Sequence, residues 1–410
     1  MSHLRYPLHS LREGNWFKLI CGASFQHLPA IRNLTLAYAL AGADCIDVAA
    51  DPAVIAAARE GIEAALRLTE FFPRWESATD RSPLLMVSLN DGEDPHFRKA
   101  QFDPSACPAD CPRPCQQVCP AEAISFSQDT SNRHRVPEGS APPFPENFSG
   151  VIDSRCYGCG RCIPICPFDR IVTRSYVSTP ATLAPLVLEN NVDALEIHTQ
   201  TGRDADFDRL WQAISPWLDR LKLIAISCPD DPNLIDYLRA LYERMSPLPC
   251  PLIWQTDGRP MSGDIGAGTT TAAVKLSQKV LAAGLPGYVQ LAGGTNHHTV
   301  DKLKATGLLP SAAEKDGGLS EVSPSPHVAG VAYGSYARKL LSTVLEQLET
   351  VQTIAISPIA LSEPVVSQPP LGQFGNLQTA PVLRLEDRPD LLERAVDLAD
   401  SLVSQLKPHS

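Results

Sequence analysis

The sequence contains no apolar run that reaches the roughly 18 residues a membrane-spanning helix requires, so a helical membrane protein is not expected. It also lacks an excess of basic charge. Lys and Arg number 35 against 46 Asp and Glu, a formal net charge of −11. General binding to nucleic acid or to an anionic membrane surface needs a basic face, and this balance argues against both. The stretch Met1–Leu11 has none of the apolar core of a signal peptide. No Ser-His-Asp order and no zinc-hydrolase motif stands out, which leaves the common hydrolase classes without support. Together these absences point to a cytoplasmic protein, with no membrane span and no nucleic-acid partner. Thiols stay reduced in that compartment, and clustered cysteines there signify metal.

Cysteine clusters are what the sequence has. One run is Cys107-x3-Cys111-x3-Cys115-x3-Cys119-Pro, and a second is Cys156-x2-Cys159-x2-Cys162-x3-Cys166-Pro. The second matches the bacterial ferredoxin pattern, including the proline after the fourth cysteine. Gly158 and Gly160 supply the backbone freedom for the chain to wrap and aim three sulfurs at one cluster. In that pattern the fourth cysteine serves the other cluster. By position, one cluster takes Cys107, Cys111, Cys115 and Cys166, and the other takes Cys156, Cys159, Cys162 and Cys119. An internal repeat supports the pairing: Cys119-Pro-Ala-Glu-Ala-Ile124 and Cys166-Pro-Phe-Asp-Arg-Ile171 share the frame Cys-Pro-x3-Ile. The first run departs from the pattern in its wider early spacings, stiffened by Pro108, Pro112 and Pro114. Its cluster is therefore a [4Fe-4S] or a [3Fe-4S]. Structural zinc and disulfides are the competing readings, but zinc sites usually group cysteines in pairs.

Around this stretch the chain alternates strand and helix. Short apolar runs at Trp16–Cys21, Asp44–Ala49, Pro83–Leu89, Ala194–His198, Lys222–Ser227, Pro251–Gln255, Gly287–Ala292 and Val328–Tyr333 read as eight strands. Helices are expected over Gln26–Leu40, Pro52–Leu68, Pro180–Asn190, Asp206–Leu218, Asn233–Met245, Thr269–Ala283, His297–Ala305 and Tyr336 to about Glu349. Eight right-handed strand–helix units predict an α/β fold, a TIM-like (β/α)8 barrel, with a doubly wound sheet as the alternative. The expected division is 1–96 for the first part of the barrel and 97–175 for an inserted ferredoxin-type module after the third strand. The remainder of the barrel would occupy 176–350, and a linker with a C-terminal helix 351–410. That helix, near Asp390–Leu406, puts Leu391, Ala395, Leu398, Leu402 and Leu406 on one face, to pack on the barrel or to bind a partner. Asp129–Ser149, polar and rich in proline, reads as a mobile loop.

Active sites of such barrels lie at the C-terminal ends of the strands, so the module should cap the mouth. Lys18, Asp47 and Glu196 fall inside apolar strands, either as an internal ion network or as site residues. His198, Gln255 and Asp257 fall at strand ends facing the mouth. Gly293 and Gly294 follow the seventh strand, and Gly334 and Ser335 follow the eighth, where barrels commonly bind phosphate. These loops resemble the flavin-phosphate loops of dihydroorotate-dehydrogenase-like barrels, which implies FMN or another phosphate-bearing ligand and an iron–sulfur oxidoreductase; bare tight turns are the alternative. Gly263–Gly268 fits a dinucleotide fingerprint poorly and reads better as a lid. Cys21, Cys45, Cys228 and Cys250, scattered over different strands, read as small buried apolar residues.

Nearly the whole chain resembles the cyanobacterial light-dependent period protein family, LdpA. The resemblance is carried by Gly14-Asn-Trp-Phe-Lys-Leu-Ile-Cys-Gly-Ala-Ser-Phe-Gln-His-Leu-Pro29, by Ala41-Gly-Ala-Asp-Cys-Ile-Asp-Val-Ala-Ala-Asp51, by both cysteine runs, and by Asp257-Gly-Arg-Pro-Met-Ser-Gly-Asp264. It implies an iron–sulfur redox sensor that conveys light or redox state to the circadian clock and adjusts its period. The partners it implies are clock and clock-input proteins together with cellular electron carriers. On this resemblance a sensor is favoured over an enzyme.

Overall fold

In a computed structural model, the described residues are 7–21, 27–69, 82–92, 98–119, 123–126, 150–152, 156, 162–163, 165–175, 191–258, 266, 268–309, 327–356 and 383–407. Ten strands are described: β1 (Trp16–Ile20), β2 (Cys45–Ala49), β3 (Leu84–Asn90), β4 (Arg98–Gln101), β5 (Val172–Ser175), β6 (Ala194–His198), β7 (Leu223–Pro229), β8 (Leu252–Asp257), β9 (Tyr288–Ala292) and β10 (Val328–Tyr333). Eight of them close into an all-parallel barrel in the order β1-β10-β9-β8-β7-β6-β3-β2. This is the (β/α)8 architecture expected from the strand–helix alternation, with all eight expected strands in place. The doubly wound alternative is ruled out by the β1–β10 ladder, which closes the sheet.

The strands read as near-continuous apolar runs because both of their faces are covered. Outward residues such as Phe17, Leu19, Ile46, Val48, Leu195, Ile197, Ile224 and Val331 pack under the surrounding helices in one core. Inward residues near the N-terminal end form a second apolar cluster of Trp16, Cys45, Leu84, Met86, Leu223, Ile253 and Tyr288. A short helix, Pro7–Arg12, closes this end by adding Leu8 and Leu11 to that cluster. Gly330 makes room for the Trp16 strand, since a Cβ there would stand 2.0 Å from the Trp16 carbonyl oxygen.

The C-terminal helix Pro389–Val403 packs its apolar face on the barrel's outer helices rather than leaving it free. Leu391, Leu392, Ala395, Val396, Ala399, Leu402 and Val403 are buried there, against the helices Leu28–Leu40 and Ser335–Ile356. Arg32 pairs with Glu386, and Lys407 Nζ reaches Asp44 Oδ1 at 2.5 Å. The helix expected over Asp206–Leu218 runs instead over Asp204–Ile214 and tightens into a 3₁₀ segment at Ser215–Arg220, where Pro216 cannot donate the next helical hydrogen bond. The helix expected at Pro180–Asn190, the loop Asp129–Ser149 and most of Gly263–Gly268 lie outside the described residues.

Between β3 and β6 the chain leaves the barrel, and all eight clustered cysteines lie in this excursion. Its incoming and outgoing segments pair as the antiparallel ribbon β4–β5, from Arg98↔Ser175 to Gln101↔Val172. A bridge joins Ile124 to Val151, and a small core gathers Ala100, Phe102, Ala123, Ile124, Val151 and Ile171 with the buried Cys115, Cys156 and Cys162. Among the described residues no helix is long and apolar enough to cross a membrane.

Candidate functional site: a cysteine module and a charged barrel interior

Each cysteine run is set by local turns. Asp103 accepts from the Ser105 amide at 2.9 Å and starts the 3₁₀ turn Pro104–Ala106, which delivers Cys107. Arg113 adopts φ 52, and Pro114 then opens the short helix Pro114–Val118 that carries Cys115 inward. After each Cys-Pro step the chain turns back on its own sulfur. The Ala123 amide donates to Cys119 Sγ at 3.2 Å, and the Arg170 amide donates to Cys166 Sγ at 3.4 Å. The same bond at i+4 in both halves gives the repeated frame Cys-Pro-x3-Ile a physical meaning. Each N–H stabilises negative charge on its sulfur, as a metal-bound thiolate requires.

The fold brings the first run together with the end of the second. Burial raises the Cys107 thiol pKa, and the neighbouring Cys111 and Cys166 raise it further. Cys115 is likewise raised first by burial, with Cys166 and Cys107 adding to it. Cys119, Cys156 and Cys162 share the module's apolar core, and Cys159 lies outside the described residues. Seven described soft sulfur donors, two of them with amide hydrogen bonds, fit iron–sulfur ligation by their chemistry.

The chain is pinned at the point where it leaves the barrel for the module. Asp91, just past β3, donates its amide to the His198 carbonyl at 3.1 Å. Its buried carboxylate accepts from Thr199 Oγ1 at 2.5 Å and from Arg203 Nη1 at 3.1 Å. Because the Thr199 proton is committed to Asp91, the Tyr237 hydroxyl at 2.6 Å must be the donor to Thr199. Nothing in the sequence marked this clamp, because its members come from three segments and none belongs to a motif.

The barrel interior is charged. Lys18 Nζ bonds Glu196 Oε2 and stands 3.6 Å from Asp47 Oδ2, with all three side chains buried. Glu196 Oε1 also accepts from Gln255 Nε2 at 2.6 Å and from His198 Nε2 at 3.0 Å. Ser88 donates to Asp47 at 2.7 Å. The internal network and the mouth residues His198 and Gln255 are thus one connected system. Burial disfavours the Lys18 ammonium, but Glu196 and Asp47 reverse this and raise its pKa. Burial likewise disfavours the Glu196 carboxylate, yet Lys18 and His198 lower its pKa to about 2. Burial pushes Asp47 up to about 6 against the pull of Lys18.

The glycines after β9 have structural roles of their own. Gly293 and Gly294 adopt φ 69 and 85, and a Cβ on Gly294 would meet the Thr269 carbonyl at 2.9 Å. The Gly294 carbonyl accepts from the Thr269 and Thr270 hydroxyls at 2.6 and 3.2 Å. Ser335 opens the helix Ser335–Ile356 beside Gly334, and its hydroxyl accepts from Arg338 at 3.1 Å. Of the scattered cysteines, Cys21, Cys45 and Cys228 are buried and Cys250 is partly so.

Comparison with known proteins agrees with the cysteine chemistry. Residues 107–177 match the family described as LdpA Fe-S cluster-binding domain, so the excursion is an iron–sulfur-binding module. Residues 186–405, the second half of the barrel with the C-terminal helix, match Light dependent period A C-terminal domain. A curated relative, "Light dependent period A" of Synechococcus elongatus, is 46% identical over 402 residues, covering 98% of this chain and 94% of the relative. The chain belongs to the Light dependent period A family.

Proposed function

We propose that the chain is an iron–sulfur redox-sensing regulatory protein of the cytoplasm that conveys light and redox state to the circadian clock and adjusts its period. The observation that carries this reading is the gathering of Cys107 and Cys115 with Cys166, and of Cys107 with Cys111, close enough to add to the raised pKa of the Cys107 and Cys115 thiols. That crossover is what a two-cluster module needs. In this reading Cys107, Cys111, Cys115 and Cys166 hold one [4Fe-4S] cluster, and Cys156, Cys159, Cys162 and Cys119 hold the other. Bound clusters supply reversible one-electron exchange with cellular electron carriers. The amides of Ala123 and Arg170 tune the charge on the two crossing sulfurs. The Asp91 clamp fixes the point where the chain leaves β3 for the module. Clock and clock-input proteins are the readers of the redox change; the name of the relative, Light dependent period A, supports a clock context.

The test replaces Cys115 or Cys159 with Ser and follows clock period at several light intensities. The expected result is a rhythm that persists while its period no longer responds to light. A period that still tracks light in a strain lacking both clusters would overturn the reading.

A further inference from the structure

We propose that Arg113 sets the reduction potential of the cluster assigned to Cys107, Cys111, Cys115 and Cys166, by holding a fixed positive charge beside those sulfurs. This inference deepens the proposed function and rests on its assignment of the four ligands.

Arg113 stands midway between Cys111 and Cys115, and the backbone turns there through the left-handed region, at φ 52 and ψ 51. Glycine adopts that conformation freely, whereas a residue with a Cβ is strained by it. Among the described residues only Arg113, Asp169 and Asn191 adopt positive φ without being glycine. The turn alone would be served better by glycine, so the arginine side chain has a use of its own. That side chain folds back over the module. Its Cζ lies 4.2 Å from the centroid of the Phe126 ring. Phe126 in turn tilts against Phe102 at 5.3 Å and packs, with Cys107, Cys119 and Cys166, on the module's small core. Stacking on the ring holds the guanidinium against the cysteine-bearing core, where a free arginine would sweep through solvent.

The charge acts on the ligand sulfurs. Burial and the neighbouring Cys111 and Cys166 disfavour the anion at Cys107, and the Arg113 and Arg170 guanidiniums oppose them. Taking up one electron adds one unit of negative charge to the four-sulfur site. A fixed cation beside that site favours the reduced form and raises its potential. Arginine keeps its proton throughout the physiological range, so its contribution does not vary with pH as a histidine's would. Arg113 is exposed, so dissolved salt screens its charge. The contribution should therefore shrink as ionic strength rises, which a purely structural role for the side chain would not produce.

The experiment measures midpoint potentials of the anaerobically purified protein by EPR-monitored titration, with dithionite and a europium(II) chelate as reductants. Arg113→Gln should lower the midpoint of one cluster more than that of the other, and the difference from wild type should narrow between low and high KCl. Arg113→Gly, which relieves the backbone strain while removing the charge, should show the same fall. Arg113→Lys, which keeps the charge, should recover most of it. Iron and sulfide contents and circular dichroism equal to wild type confirm that the variants are folded and loaded. If loaded Arg113→Gln and Arg113→Gly both titrate as wild type does, or if their shift is the same at every salt concentration, the proposal is overturned while the cluster assignment stands. Wild-type protein without iron and sulfide would overturn the assignment and the proposal together.

Discussion

The indole Nε1 of Trp16 donates to Oε1 of Gln290 at 2.7 Å, a buried bond between residues 274 apart in sequence. Indole can only donate, so this bond fixes which end of the Gln290 amide points at it. The Gln290 nitrogen must then donate to Gln255 Oε1, which it does at 2.6 Å, and the Gln255 nitrogen to Glu196 at 2.6 Å. A donor-only group at one end and a carboxylate at the other leave the chain a single direction. The apolar floor of the barrel thereby orients the charged group at its centre.

Breaking the chain in its middle should therefore be costly. Gln290→Leu strands the Trp16 N–H and the Gln255 carbonyl in the interior, and we expect a loss of about 2 kcal/mol or more in urea unfolding. Trp16→Phe combined with Gln290→Leu should cost clearly less than the sum of the two single changes, since the pair is coupled. Strict additivity would show that the chain carries no energy of its own.

Stability should peak in mildly acidic solution. His198 has a folded pKa raised from 6.5 to about 8, so its contribution is complete below 6.5 and is lost as pH rises through 8. Asp47 and Asp257, raised from 3.8 to about 6, act in the same sense, since their charged forms are disfavoured in the fold as pH climbs from about 4 to 6. Glu196, lowered from 4.5 to about 2, opposes them: its contribution is present above 4.5 and lost as pH falls toward 2. Thermal unfolding measured from pH 4 to 9 should show a decline on the alkaline side, and His198→Gln should flatten its upper part. An alkaline limb unchanged by that substitution would remove His198 from the account.

The C-terminal tail should matter to the barrel itself. Lys407 Nζ meets Asp44 Oδ1 at 2.5 Å and the Gly42 carbonyl at 3.0 Å, while the other Asp44 oxygen takes the Phe17 amide at 2.8 Å. Lys407→Met leaves Asp44 buried without its cation, and we expect a cost of about 2 kcal/mol after allowance for partial exposure of the pair. Lys222→Met, which breaks the exposed pair with Asp193, should cost less than about 1 kcal/mol in the same assay. Equal costs would mean that the tail contact is only a surface ion pair.

These particulars also show what a sequence can reveal. The eight barrel strands were legible because strands covered on both faces must be apolar throughout, and glycine and proline punctuate them. Lys18, Asp47 and Glu196 stood out for the same reason, as charges inside such runs. Their partners did not: Trp16, Gln255 and Gln290 look like ordinary strand residues until the barrel closes and brings them together. The ribbon β4–β5 was missed because RKAQ and VTRS carry no apolar alternation, and pairing across the whole module defines them. The plug Pro7–Arg12 has 6 residues, too few to display a helical period. The cysteine runs were legible by spacing alone, whereas the amide bonds that follow each Cys-Pro step required the fold.

The claim on which the functional account stands is that two cysteine runs hold two cubane clusters by exchanging their fourth ligands. Iron and acid-labile sulfide, measured per chain on protein purified without oxygen, test it most directly. The account predicts about eight of each, with broad absorption near 400 nm. Stoichiometric zinc without sulfide, or about four iron and four sulfide in fully loaded protein, would contradict it.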